Sequence, residues 1–205
     1  MTKLLLVRHG QTELNTSFKF AGSIDSELSP GGYKQIEKLR DRLADEKIDA
    51  VICSDLKRAK ESAAIIAAGR QLELHTYPEL RELNYGKLEG LTFGEIHHNY
   101  PDVSASIDKH DYLVNFPGGE CFGDLEKRIG TMVVELKGYP ADQTILVVTH
   151  GGPLRMLVCK LLETGVELWW RLRIDNASLT IIDMYPDGAI LSLLNDVSHL
   201  NNPKS

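Results

Sequence analysis

A chain of 205 residues, 42% hydrophobic and 25% charged, has the size and composition of one globular domain with a full core. Its formal net charge of -6 argues against a nucleic-acid partner, which normally meets a basic surface. It leaves room for a small anion held by a local cluster of arginines.

Residues 3–7 form an apolar run fit for a buried strand, and it stops abruptly at Arg8, His9 and Gly10. Loop punctuation follows at 21–25 and 29–32. Ser29 before Pro30 reads as an N-cap with proline at the first helical position, predicting a helix over 30–45 with Ile36, Leu39 and Leu43 on its buried face. Its Lys34, Lys38 and Arg42 read as a solvated face. A short strand over 50–53 precedes Ser54 and Asp55, expected caps of an alanine-rich helix over 56–68. Residues 72–77 alternate as an edge strand would. From 78 to 117 prolines and glycines break the order, with one short helix expected over 93–100. A helix over 121–137 leads into a second apolar strand, 144–149, which also ends in a histidine and a glycine, His150 and Gly151. Helices over 152–162 and 166–171 and strands over 178–184 and 189–194, around a turn at 186–188, complete the chain. Strands alternating with helices imply an α/β three-layer sandwich, a mainly parallel central sheet with helices on both faces. The whole of 1–205 reads as one domain, with 83–120 inserted as a small lid.

Cys53, Cys121 and Cys159 are odd in number and widely spaced, the usage of a reduced compartment rather than a disulfide framework. The sequence opens directly on a strand with no signal-peptide pattern, and no run nears the roughly 20 apolar residues of a membrane span. A cytoplasmic protein without a membrane partner is expected, and a homodimer is compatible with these features.

Ligands of open α/β sheets bind beyond the carboxyl ends of the strands. Two His-Gly strand tips therefore suggest two imidazoles across one pocket. Arg58, in the first turn of the helix after the strand 50–53, belongs at the same edge. Two guanidiniums beside two imidazoles suit a tetrahedral oxyanion such as phosphate. A neutral imidazole with one nitrogen free can attack phosphorus and become a phosphohistidine. A lone histidine at a strand tip is more often structural, but two tips and a third-tip arginine are hard to explain that way. Glu82, at the entrance to the lid, is the candidate proton donor for the leaving alcohol; spacing alone fits a solvated loop charge better. Phe18, Phe20 and Tyr85 could stack on a substrate ring or simply pack. Trp169 and Trp170 read as anchors of the helix 166–171. His97, His98 and His110 lack accompanying carboxylates at helical spacing, and no metal site is expected from them.

Residues 8–15, Arg-His-Gly-Gln-Thr-Glu-Leu-Asn, resemble the R-H-G-[EQ]-[ST]-x-x-N signature of the histidine phosphatase superfamily, the phosphoglycerate-mutase-like fold. Segments around 21–32, 53–59, 79–90, 117–120 and 148–152 are similar to the same family in the same order, across nearly the whole chain. The resemblance implies that His9 is phosphorylated, that Arg8, Arg58 and His150 hold the phosphoryl group, and that Glu82 is acid and then base. It adds Asn15, Gln11, Thr12, Gly22 and the Gly151 backbone as phosphate contacts, and it implies neither metal nor cofactor. The implied activity is a phosphomonoesterase for a small phosphorylated metabolite. The short lid favours net hydrolysis over a phosphoglycerate mutase. Residues 117–120 and 168–176 resemble the branch that contains α-ribazole-5'-phosphate phosphatase, of cobalamin nucleotide-loop assembly. A mutase, a non-catalytic phospholigand-binding module and a metallohydrolase are the rival readings.

Overall fold

The apolar runs around residues 5 and 146 lie side by side at the centre of a six-stranded sheet, in a computed structural model that describes residues 1–200. The strands are β1 (Thr2–Arg8), β2 (Ala50–Ser54), β3 (Leu74–Tyr77), β4 (Thr144–Thr149), β5 (Leu179–Tyr185) and β6 (Gly188–Asp196), in the order β3-β2-β4-β1-β5-β6. The first four in that order are parallel, while β5 and β6 add an antiparallel hairpin. Side chains alternate across the sheet. Leu4, Leu6, Ile52, Ile145 and Val147 face one core, and Leu5, Val7, Val51, Cys53, Leu146 and Val148 the other. Burial on both faces is why these strands read as continuous apolar runs.

Helices α2 (Pro30–Arg42) and α3 (Lys57–Ala67) cover one face, and α6 (Phe122–Lys137) and α7 (Gly151–Leu161) the other. The Ser29 hydroxyl caps α2 by accepting from the Gly32 N–H at 3.0 Å. Ser54 and Asp55 do not cap α3: Leu56 holds the cap position with no side-chain bond. The Ser54 hydroxyl is turned to His150 and Asp55 to Arg81, so both are spent on tertiary contacts. Lys38 and Arg42 are not a merely solvated face either. Arg42 pairs with Asp196 and donates to Ser198 at 2.9 Å, and Lys38 reaches the Leu200 carbonyl at 3.3 Å, so α2 docks residues 196–200.

Two short helices were not expected. Thr12 caps α1 (Glu13–Thr16) through a reciprocal box with Asn15. The helix expected over 93–100 is α4 (Phe93–Asn99), and a further one, α5 (Pro101–Asp108), follows it. Thr92 and Glu95 box the start of α4, and Pro101 restarts the chain at the first position of α5. Residues 83–120 are not a detached flap, because Leu88, Ile96, Val114 and Phe116 join the core under α6 and α7. Trp169 is buried and donates its indole N–H to the Gly152 carbonyl at 3.0 Å, anchoring the turn Val166–Arg171 to α7. Among the described residues no helix is long and apolar enough to cross a membrane.

The loop after β1 rests against the first turn of α2 with no room between the backbones. A Cβ on Gly32 would lie 2.1 Å from the Gln11 carbonyl oxygen, and one on Gly10 would lie 2.6 Å from the Gly32 oxygen. A helical Gly→Ala change ordinarily stabilises by about 0.5–1 kcal/mol. Gly32→Ala should do the reverse and cost about 1–3 kcal/mol, as overpacking against rigid backbone does. Denaturant unfolding of the two proteins checks the sign; a stabilised variant would contradict the contact.

Candidate active site

The register Arg8↔Thr149 between β1 and β4 sets the residues that follow, His9 and His150, level at the carboxyl end of the sheet. The His9 N–H bonds the Thr149 carbonyl at 3.0 Å, and the two rings meet edge-on, 4.9 Å between centroids. β2 flanks β4, so α3 starts beside this pair and brings Arg58 to it. Three neighbouring strands thus deliver the cluster.

His9 is 3% exposed. Its Nδ1 lies 2.7 Å from the Gly10 carbonyl, which can only accept, so the proton is on Nδ1 and Nε2 keeps its lone pair. Burial first, and then the charges of Arg58 and Arg8, hold its pKa well below the ordinary value. The ring is neutral near pH 7, with a free nitrogen.

His150 has the opposite tautomer. Its Nδ1 accepts from Arg58 Nε at 3.2 Å, and its Nε2 donates to the Ser54 hydroxyl at 2.9 Å. Fully buried and pushed well below its ordinary pKa by burial and by Arg58, it has both nitrogens occupied by protein. It stands behind Arg58 and orients it.

Arg58 is completely buried, with its Nη1 on the Ile24 carbonyl at 2.6 Å and its Nη2 on the Gly22 carbonyl at 2.7 Å. Arg8 gives its Nη1 to the Ile174 carbonyl at 2.7 Å, while its buried Nε has no partner. Among the described residues neither arginine forms an ion pair. Burial lowers the pKa of each, yet guanidinium stays charged. Two positive charges held by carbonyls form a receptor for an anion.

Glu82 comes from the loop that follows β3. Its Oε1 accepts the backbone N–H of Leu83 at 2.9 Å and that of Gly152 at 3.0 Å, in the first turn of α7. A Cβ on Gly152 would lie 2.4 Å from that oxygen, so only glycine fits there. Oε1 takes the two shorter bonds, and Oε2, 3.4 Å from the same Gly152 N–H, is the less tightly held oxygen.

A cavity of about 360 Å³ is lined by Arg8, His9, Asn15, Gly22, Arg58 and Glu82 together with Phe18, Lys19, Phe20, Ala21, Tyr85 and Phe93. The Asn15 Oδ1 is held by the Thr12 N–H at 3.0 Å and by Asn176 Nδ2 at 3.2 Å, which leaves its amide Nδ2 for the cavity. Gly22 contributes its carbonyl to Arg58, and Gly151 sits at the start of α7 beside the Arg8 guanidinium, 3.6 Å from a virtual Cβ, an ordinary contact distance. Gln11 and Thr12 do not line the cavity. Thr12 is buried as the cap of α1, and Gln11 is spent on α2, its N–H on Gln35 at 3.0 Å and its carbonyl on Ser29 at 2.8 Å. His97 and His98 lie on α4, and His110 packs 5.2 Å from Trp170. Among the described residues no group of three His, Cys, Asp or Glu could hold a metal.

Sequence reasoning missed Ser54 and Ser62 as partners. Ser62 accepts the Gly10 N–H at 3.2 Å and donates to the Arg58 carbonyl at 2.7 Å, joining the two loops. Its one signal was a serine among alanines on the buried face of α3.

The model of the histidine phosphatase superfamily (branch 1) matches residues 4–197. Phosphoserine phosphatase 1 of Hydrogenobacter thermophilus is 32% identical over 200 residues, 98% of this chain and 95% of the relative. The adenosylcobalamin/alpha-ribazole phosphatase of Escherichia coli is 29% identical over 194 residues, covering 94% of this chain and 95% of that one. Among solved structures, Bacillus stearothermophilus YhfR superposes with a TM-score of 0.91 at 30% identity, over 98% of this chain and 100% of that one. The matched span takes in both His-Gly tips, the Glu82 loop and the closing hairpin, and the chain belongs to the histidine phosphatase superfamily, branch 1.

Proposed function

We propose that the protein hydrolyses a small phosphomonoester through a phosphohistidine on His9. The observation that carries this reading is a neutral His9 with Nε2 free beside the Arg8 and Arg58 guanidiniums, neither of which forms an ion pair among the described residues. In the first step Nε2 bonds to phosphorus as the ester P–O bond breaks, and Glu82 Oε2 gives its proton to the leaving oxygen. In the second step water bonds to phosphorus, the P–N bond breaks, and Glu82 takes the water's proton. Arg8, Arg58 and the Asn15 amide stabilise the equatorial oxygens of the transferring group. His150 contributes by fixing Arg58 rather than by touching phosphate. A phospholigand-binding module has no need of a nucleophile and an acid in one cavity.

For the substrate, Phe18, Phe20, Tyr85 and Phe93 line the same cavity as His9 and Glu82, with Phe20 edge-on to Tyr85 at 4.9 Å. They favour an alcohol that carries a flat ring, such as α-ribazole 5'-phosphate, for which relatives are named. Phosphoserine, named for other relatives at similar identity, is the second reading. Ring contacts of about 0.5–1.5 kcal/mol each predict a preference of about tenfold or more in kcat/KM for α-ribazole 5'-phosphate over phosphoserine. A panel of the two, with sugar phosphates and phosphoglycerates, decides; preference for phosphoserine reverses the assignment.

His9→Ala should abolish turnover and acid-labile labelling by ³²P-substrate alike. Near-normal phosphatase activity in that variant would refute the mechanism. Glu82→Gln should slow an alkyl phosphate by about 10²–10⁴-fold, the usual worth of a positioned proton donor, while p-nitrophenyl phosphate, whose leaving group barely needs a proton, changes far less.

The buried histidines also set a pH dependence of stability. His9 and His150 bind protons more weakly folded than unfolded, so the unfolded state takes up more protons below pH about 6.5 and stability falls as the pH drops. Each contributes a slope of up to about 1.4 kcal/mol per pH unit. Unfolding titrations from pH 7 to 5 should lose part of this slope in His9→Ala; an unchanged slope would mean that His9 is not buried in neutral form.

A further inference from the structure

The loop that carries Glu82 lies between the turns Pro78–Leu80 and Gly86–Leu88 and has no helix or strand of its own. Asp55 holds Arg81 and Thr149 holds the Leu80 carbonyl, but most of the backbone carbonyls of residues 79–82 are held by one side chain on α6. Arg128 gives Nη1 to the carbonyls of Glu79 at 2.5 Å and Arg81 at 2.6 Å, and Nη2 to the carbonyl of Glu82 itself at 3.2 Å. Its Nε and Nη2 form a two-pronged pair with Glu120, at 2.8 and 3.0 Å. All five N–H donors of the guanidinium are therefore used, which no lysine could reproduce. Glu120 completes the brace. Its Oε2 accepts the Asn84 N–H at 2.9 Å, and its own N–H donates to the Asn84 carbonyl at 2.9 Å. Asn84 and Glu120 stand where the 83–120 segment leaves the body and where it returns. Arg128 itself lines a separate polar cavity of about 220 Å³ that meets the catalytic one only at Glu82.

We infer that Arg128, with Glu120, is a positioning residue for the hydrolysis: it holds the backbone of residues 79–84 so that the free oxygen of Glu82 stands at the departing ester oxygen. The inference rests on the reading of Glu82 as the proton donor. It also makes the inserted segment a mechanical partner of that donor, since both of its stems are tied to the same guanidinium.

Arg128→Lys and Glu120→Gln keep the charge or the shape while removing the fork, and each is assayed on glycerol phosphate and on p-nitrophenyl phosphate alongside thermal melting. The expected result is a kcat loss of about 10- to 100-fold on glycerol phosphate, about threefold or less on p-nitrophenyl phosphate, and unchanged KM on both. Adding Arg128→Lys to Glu82→Gln should cost less than about threefold more, because the two act as one unit. Equal losses on both esters, or fully multiplicative losses in the double variant, would reduce Arg128 to a fold staple and overturn the inference. Should Arg128→Lys not fold, Glu120→Gln gives the same comparison. If Glu82→Gln fails to distinguish the two esters, the proton-donor reading falls and takes this one with it; if it distinguishes them and the Arg128 and Glu120 variants do not, only this one falls.

Discussion

A wholly buried guanidinium, Arg58, and a half-buried one, Arg8, both held by carbonyl oxygens and neither in an ion pair among the described residues, are the constraint on which the rest depends. Removing a charge from water costs several kcal/mol unless a counter-charge is at hand. Carbonyl dipoles hold Arg8 and Arg58 in place without cancelling them, so their charge stays available to an incoming anion. The same field suppresses protonation of His9 and His150. Positive charge open to an anion and an unprotonated imidazole are thus one electrostatic arrangement.

That arrangement needs backbone precision more than side-chain bulk. The sheet register sets two histidines level, Gly10 and Gly32 bring the first loop against α2, and Gly152 opens the start of α7 to Glu82. The Thr149 hydroxyl, 2.5 Å from the Leu80 carbonyl, ties the second strand tip to the segment leading to Glu82. Stability and alignment are therefore hard to separate in this core, and the glycines are where the two requirements meet.

Much of this was legible in the sequence because it is written locally. Apolar runs ending in His-Gly, Ser29-Pro30 before a periodic stretch, and an alanine-rich helix after a short strand each carry their meaning within a few residues. What was hidden is what depends on distant partners. Ser54 looked like a cap, and it became a histidine ligand because β2 lies next to β4. Gln11 and Thr12, grouped by motif with the phosphate contacts, support the loop from behind. The expected helix over 93–100 stops before Pro101, and the second helix that Pro101 begins had no periodic signal of its own, since a proline that ends one helix can begin the next. Arg42 had no sequence partner in view until Asp196, at the end of β6, and Ser198 just after it folded back onto α2.

The opposed tautomers of the two histidines have a stereochemical result. Gly10 occupies the ring nitrogen of His9 nearest its own backbone, and only the remote, tele nitrogen is open to a reacting group. Any group transferred to this ring is carried at the tele position, with the pros isomer shut out by the main chain. Its neighbour, braced at both nitrogens, offers no competing acceptor. One ring, one atom and one direction of approach are thereby selected before a substrate arrives.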